Sequence, residues 1–271
     1  MKARTILLNL AVAVIALVVL FPLVWMLSVS FMPTGEAATF PPPLVPSRFT
    51  LEHYRDLFLN QGMGRYVLNS LILATLATIL ALLFTVPAGY AFAKLRFRGR
   101  ERLFQVLLAA LVVPAQIGTL PLFLMLKSMG LVNTYAGALV PWLASIFGLF
   151  LVRQYALSIP DEMLEAARVD GASEGQIFRR VVLPTLQPIV VTLGLFVFLG
   201  SWNDFLWPLI VLTDQSNYTL PVALAALSRE HVQDVELMMA GAVVTVAPVL
   251  ILFLALQRYY IRGMLAGSVK G

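Results

Sequence analysis

The chain has no cysteine and only two histidines, His53 and His231, and just 12% of its 271 residues are charged, where an ordinary soluble domain carries roughly a quarter. Without cysteine there is no disulfide framework, no thiol nucleophile, no iron–sulfur cluster and no cysteine-based zinc site. With 19 basic and 14 acidic side chains gathered in a few places, the polar surface of a water-soluble globule of this length cannot be built. What is abundant is apolar: 60% of the residues are hydrophobic and the mean hydropathy is +0.88. A bilayer is the solvent this composition fits.

A membrane helix needs about 20 predominantly apolar residues, because a core of about 30 Å is crossed at about 1.5 Å per residue. Six charge-free stretches reach that length, and they predict spans near 6–31, 66–93, 103–126, 132–152, 181–209 and 237–257. The first is too long for the apolar region of a secretory signal and reads as a retained span, kinked near Pro22. The expected fold class is therefore all-α, a polytopic bundle of six transmembrane helices forming a single domain over 1–271.

An even number of spans puts both termini on one side. Basic residues in short loops stay cytoplasmic, and an N-in/C-in arrangement places 14 of the 19 Lys and Arg inside with only 6 of the 14 Asp and Glu. The basic character is explained by this topology, so no nucleic-acid partner is expected. The stretch from Lys94 to Arg102, KLRFRGRER, reads as an inner anchor near anionic membrane lipid. On the outer side, Pro41, Pro42, Pro43 and Pro46 open a stiff connector, with a helical stretch from Leu51 to Asn60.

The inner loop over 153–183 differs from the others in being mixed in charge and helix-coded. Ser158 and Asp161 have the S-x-x-D form of an N-terminal cap with Pro160 in the first turn. Asp170-Gly171 is a stop signal, because glycine takes the left-handed backbone without steric cost. Ser173 and Gln176 form a second capping box before Ile177, Phe178, Val181 and Val182, one apolar helix face. The expected element is a helix-turn-helix on the inner surface, and two readings of it stand: an amphipathic loop packed on its own bundle, or a docking knob.

The string EAARVDGASEGQIFRRVVLPTLQP, Glu165 to Pro188, resembles the EAA loop of ABC importer permeases, and it falls in this inner loop two spans before the C-terminus. SWNDFLWPLIVL from Ser201, YTLPVALAALSRE from Tyr218 and RGMLAGSVKG from Arg262 resemble the second permease of carbohydrate uptake systems, the maltose-permease type. The resemblance implies the MetI-like fold of type I ABC importers and a bacterial or archaeal plasma-membrane location. It implies a heterodimer with a second permease subunit, two ABC ATPase subunits and an extracytoplasmic solute-binding protein, importing a sugar or a glycerol-phosphate-like solute by alternating access. Glu165, Ala166, Ala167, Asp170, Gly171 and Ala172 are then the residues that couple to the ATPase, and Ser268, Val269, Lys270 and Gly271 a tail that contacts it. The chain has no Gly-Lys pair and hence no P-loop, so ATP and magnesium are expected on the partner, with no cofactor, metal or catalytic residue on this chain.

Asn69, Gln116, Asn203 and Asp204 are polar residues in or at the ends of spans and are candidates for a solute path or outer gate. The plainer readings are hydrogen bonding between helices for Asn69 and Gln116, and an interfacial position among Trp202 and Trp207 for Asn203 and Asp204. Pro87, Pro114, Pro121, Pro141, Pro208 and Pro248 lie in or near spans and read as static kinks or as hinges. The outer loop over 213–236 reads as a surface for the binding protein or a solvated connector. An ion-coupled carrier or a channel subunit is the rival reading; a carrier would put ionisable groups at mid-span depth, where this sequence has none, and a channel would show a filter motif, which is not visible here.

Overall fold

A computed structural model describes residues 2–230 and 234–268, and the side chains of residues 5–228 and 234–255. The described residues form helices, turns and loops, without a strand. In chain order the helices are α1 (Lys2–Val29), α2 (Glu52–Leu59), α3 (Met63–Lys94), α4 (Arg100–Ala110), α5 (Ala115–Ser128), α6 (Tyr135–Trp142), α7 (Ile146–Leu157), α8 (Asp161–Val169), α9 (Glu174–Thr185), α10 (Gln187–Trp202), α11 (Leu206–Val211), α12 (Leu220–Glu230) and α13 (Val235–Ser268).

Three stretches are long and apolar enough to cross a membrane unbroken: Thr5–Val29, Met63–Lys94 and Val235–Ala255. The other three expected spans are interrupted. α4 and α5 meet at 92°, α6 and α7 at 44°, and α9 and α10 at 77°, so six spans are counted when each bent pair is taken as one. The spans expected near 103–126, 132–152 and 181–209 each contain such a bend, and the α10 helix of the last ends at Trp202, with α11 separate.

The breaks have local causes. After Ala110 the chain tightens into three-residue turns, Val112 N–H to the Ala109 carbonyl and Val113 N–H to that of Ala110, and then extends at Pro114 (φ −59°, ψ 128°). The pyrrolidine ring drives the residue before it out of the helical region. α7 restarts where extended Ser145 caps it, its hydroxyl accepting from Gly148 N–H at 2.9 Å. Between α9 and α10, Pro188 has no N–H to donate back to Pro184. Proline alone does not decide the matter, because Pro22, Pro87 and Pro248 sit inside continuous helices.

The chain divides into two compact units. In the first, residues 1–67 and 220–251, most of α1 is exposed along its apolar length while Val29 and Met32 are fully buried. The connector after α1 is tied down: His53 Nε2 lies 2.9 Å from the Met32 carbonyl, Ser30 and Tyr54 share a hydrogen bond of 2.8 Å, and Glu36 accepts from Ser47 N–H at 2.8 Å. α12 lies in the stretch expected to be loop, and it buries Leu220, Val222, Ala223 and Leu227. Leu224 packs so closely on Gly241 that a Cβ there would lie 2.6 Å from its methyl.

The second unit, residues 68–219 and 252–271, holds the main core. Leu73, Ala77 and Ala81 of α3, Val152 and Ala156 of α7, Leu193 and Val197 of α10, and Trp207 and Val211 of α11 belong to one buried cluster. Glycines set the closest approaches: a Cβ at Gly89 would lie 2.6 Å from Val152 and one at Gly148 2.8 Å from Leu193.

Candidate functional site

The helix-turn-helix over 158–182 is rooted in the core of the second unit. Ile159, Leu164 and Ile177 are almost fully buried and belong to its cluster, and Ala167 and Ala172 pack against it. Glu165, Ala166, Asp170 and Gly171 are exposed on the other side. Of the six residues singled out for coupling, four therefore face outward and two, Ala167 and Ala172, seat the element.

Its shape follows from its caps. Gly171 is left-handed (φ +83°), its N–H donates to the Arg168 carbonyl at 3.0 Å, and the Ala172 N–H donates to that of Ala167 at 3.0 Å. This pair is the Schellman closure that glycine makes at a helix end. Ser173 and Gln176 form the reciprocal capping box, with Ser173 N–H 2.8 Å from Gln176 Oε1. The first expected cap does not form: the Ser158 hydroxyl turns back to the Tyr155 carbonyl, and Pro160 occupies the N-cap of α8. Ser158 instead ends α7.

Ion pairs lock the two helices. Arg168 Nε lies 2.7 Å from Glu174 Oε1, and the Tyr90 hydroxyl of α3 donates to Glu174 Oε2 at 3.3 Å. The bond to Glu174 holds the Arg168 guanidinium above its ordinary value. Lys94, the last residue of α3, donates to Asp161 Oδ1 and to the Ile159 carbonyl, each at 2.6 Å. That hydrogen bond, and after it the lysine charge, holds the Asp161 carboxyl below the usual carboxylate range. Behind it, Arg153 sits 4.0 Å over the Phe104 ring and 3.3 Å from Glu101, fastening α4 to α7.

Sequence reasoning missed two residues of the outer face. Val169 is 87% exposed and Met163 46% exposed; both lie on a helix whose other face is already buried. Their signal was their position, since neither shares the face of Leu164 and so neither is held by the chain's own core.

The four residues proposed for a solute path do not come together. Asn69 is buried and its amide donates to the carbonyls of Ser216 and Tyr218, both at 2.9 Å, while its oxygen accepts from the Tyr135 hydroxyl. It clamps a loop, with Asn133, whose side chain accepts from Thr213 and Asp214 N–H. Asn203 is exposed and caps α10 by donating to the Leu199 carbonyl at 2.8 Å. Gln116 and Asp204 line one cavity, with Trp142 and Trp207. Of the tail, Ser268 is the last residue of α13, and Val269, Lys270 and Gly271 lie outside the described residues.

Residues 85–266 match the family described as binding-protein-dependent transport system inner membrane component. The chain is 37% identical over 268 residues, 98% of its length and 96% of the relative's, to the arabinooligosaccharides transport system permease protein AraQ of Halalkalibacterium halodurans. It is 35% identical to the diacetylchitobiose uptake system permease protein NgcG of Streptomyces coelicolor, covering 94% of this chain and 84% of that one. In structure it is similar to a chain of a bacterial ABC transporter that imports the acidic polysaccharide alginate, with a TM-score of 0.85, 23% identity, and 96% and 97% of the two chains covered. The interrupted apolar helices, the rooted inner loop and these matches converge: the chain belongs to the inner-membrane components of binding-protein-dependent transport systems, as a permease subunit.

Proposed function

We propose that this permease imports a carbohydrate, pairing with a second permease subunit and two ABC ATPase subunits and receiving solute from an extracytoplasmic binding protein. The AraQ and NgcG relatives support the carbohydrate class. The absence of a phosphate-cradling loop from this sequence supports a separate ATPase. In this reading the chain lies in the plasma membrane with both termini and the α8–α9 element on the cytoplasmic side.

The observation that carries the coupling role is that α8–α9 is stiff and rooted, yet exposes apolar side chains. Leu164 and Ile177 hold it in the core, two ion pairs hold its shape, and Val169 and Met163 stand outward beside Glu165 and Asp170. Such an element transmits a push from a bound partner to α3 and α7 as a rigid body. Closure of the ATPase pair then becomes rocking of the spans, and access alternates between the two sides.

Co-purification of the tagged chain from solubilised membranes, with mass spectrometry of what accompanies it, tests this. An ATPase and a second permease should be recovered, and Val169→Asp with Glu165→Lys should lose the ATPase while keeping the permease. A homo-oligomer without an ATPase would overturn the reading.

A further inference from the structure

The cavity that contains Gln116 and Asp204 has a volume of about 520 Å3, within the range of small-molecule sites. Its position is unusual. It is lined from two of the three bent pairs and from the loop between α10 and α11: Gln116 and Thr119 beside the α4–α5 break, Trp142 at the α6–α7 break, and Asp204 and Trp207 at the end of the third span. Non-helical backbone at membrane depth is tolerated where it lines a cavity, and transporter sites are built from such discontinuous helices.

The chemistry of the wall is specific. Trp142 is half-buried, and Gly200 lets its ring in: a Cβ there would lie 2.8 Å from it. The Asp204 carboxylate, which lines the same cavity as the Trp142 ring, accepts from the Trp207 backbone N–H at 3.4 Å. Trp207 directs its indole N–H away, to the Gly137 carbonyl at 3.1 Å, and leaves its ring as wall. Among the described residues, Asp204 is the one charged group lining the cavity, with no Lys, Arg or His beside it.

We infer that this cavity is a saccharide subsite on this subunit, taking uncharged sugar rings and rejecting anionic ones. The inference rests on the importer reading and narrows its solute class. Indole faces pack against the C–H face of a pyranose or furanose, and a carboxylate accepts from sugar hydroxyls in charge-assisted bonds. A uronate or a phosphate ester would set its own negative charge against Asp204 with no cation to offset it. Glycerol-phosphate-like solutes are therefore disfavoured here.

The test uses the intact importer complex in lipid nanodiscs, with the binding protein omitted so that its own selectivity does not mask the permease. Arabinotriose and trigalacturonate are each titrated and read by saturation-transfer NMR, which detects weak binding. Arabinotriose should give a saturable signal and trigalacturonate none. Trp142→Phe, which keeps an aromatic ring against Gly200, should weaken arabinotriose by about tenfold. Asp204→Asn, which keeps size and acceptor, should weaken it about fivefold and let trigalacturonate bind measurably. The subsite is overturned if arabinotriose does not bind, if trigalacturonate binds the unaltered complex equally well, or if both substitutions leave arabinotriose unchanged. In each of those cases an assembled complex that still hydrolyses ATP on adding loaded binding protein keeps the importer reading intact.

Discussion

The Lys94 ammonium lies 2.6 Å from Asp161 Oδ1 and the same distance from the Ile159 carbonyl, so the last residue of a long apolar helix grips the first turn of α8. The lysine is almost entirely buried on its side chain, whereas the aspartate is open to water. The grip therefore belongs to Lys94, and Asp161 orients it.

Substituting Asp161 should expose this link through pH. Its carboxyl titrates below the ordinary value in the folded chain, so the contribution is fully present above about pH 4 and is lost as the pH falls through the lower folded value. Hydrogen exchange of the α8 amides should be faster in Asp161→Asn than in the unaltered chain between pH 5 and 8. The difference should vanish in stronger acid; a difference that persists there would sink the assignment.

Gly171 has open space where a Cβ would go, but a left-handed backbone. Gly171→Ala should cost about 1 kcal/mol of local stability, from backbone strain alone. Gly171→Asn should cost less, because asparagine tolerates that conformation. Gly171→Pro also removes the bond to Arg168 and should uncouple ATP hydrolysis from uptake with membrane insertion unchanged. Exchange protection over 165–177 and uptake in proteoliposomes measure the series.

Gly89 and Val152 form a reciprocal pair. A Cβ at Gly89 would enter the Val152 side chain at 2.6 Å and approach the Arg153 nitrogen at 3.2 Å. Gly89→Ala should destabilise the folded chain by about 1–3 kcal/mol. Val152→Gly in the same chain should recover part of that loss, because it removes both the Cγ1 at 2.6 Å and the Cβ at 2.7 Å, while the Arg153 nitrogen at 3.2 Å keeps the recovery incomplete. Thermal unfolding of the four members of this cycle in detergent reads the coupling.

Asn69 and Asp204 should separate as structural and functional. Asn69→Ala removes the amide that bonds the Ser216 and Tyr218 carbonyls and the Tyr135 hydroxyl, a loss of about 1–3 kcal/mol. It should lower the unfolding temperature with no change in the preference for neutral over acidic oligosaccharides. A changed preference at unchanged stability would return Asn69 to the solute path.

Much of the α8–α9 element was legible in linear sequence because it is locally coded. The Asp170-Gly171 stop and the Ser173–Gln176 box each act within a few residues, and the structure shows both as hydrogen bonds. The cap at Ser158 was misread for the same local reason: its hydroxyl had two chain directions to choose from and bonds backward to Tyr155. The buried apolar face of α12 was hidden by its shortness, since 11 residues with an N-terminal proline resemble a loop as much as a helix.

The sequence by itself determined the solvent, the helical class, the six apolar stretches and the inner loop, because hydrophobicity, charge placement and capping act over short range. Tertiary structure decided which stretches break, where Lys94 reaches, and that Gln116 shares a wall with Asp204 while Asn69 does not. Those outcomes depend on packing between residues far apart in the chain. One proline in a helix forfeits one hydrogen bond, and only the neighbours it meets settle whether the helix continues, as at Pro22 and Pro87, or opens into a cavity, as beside Pro114 and Pro141.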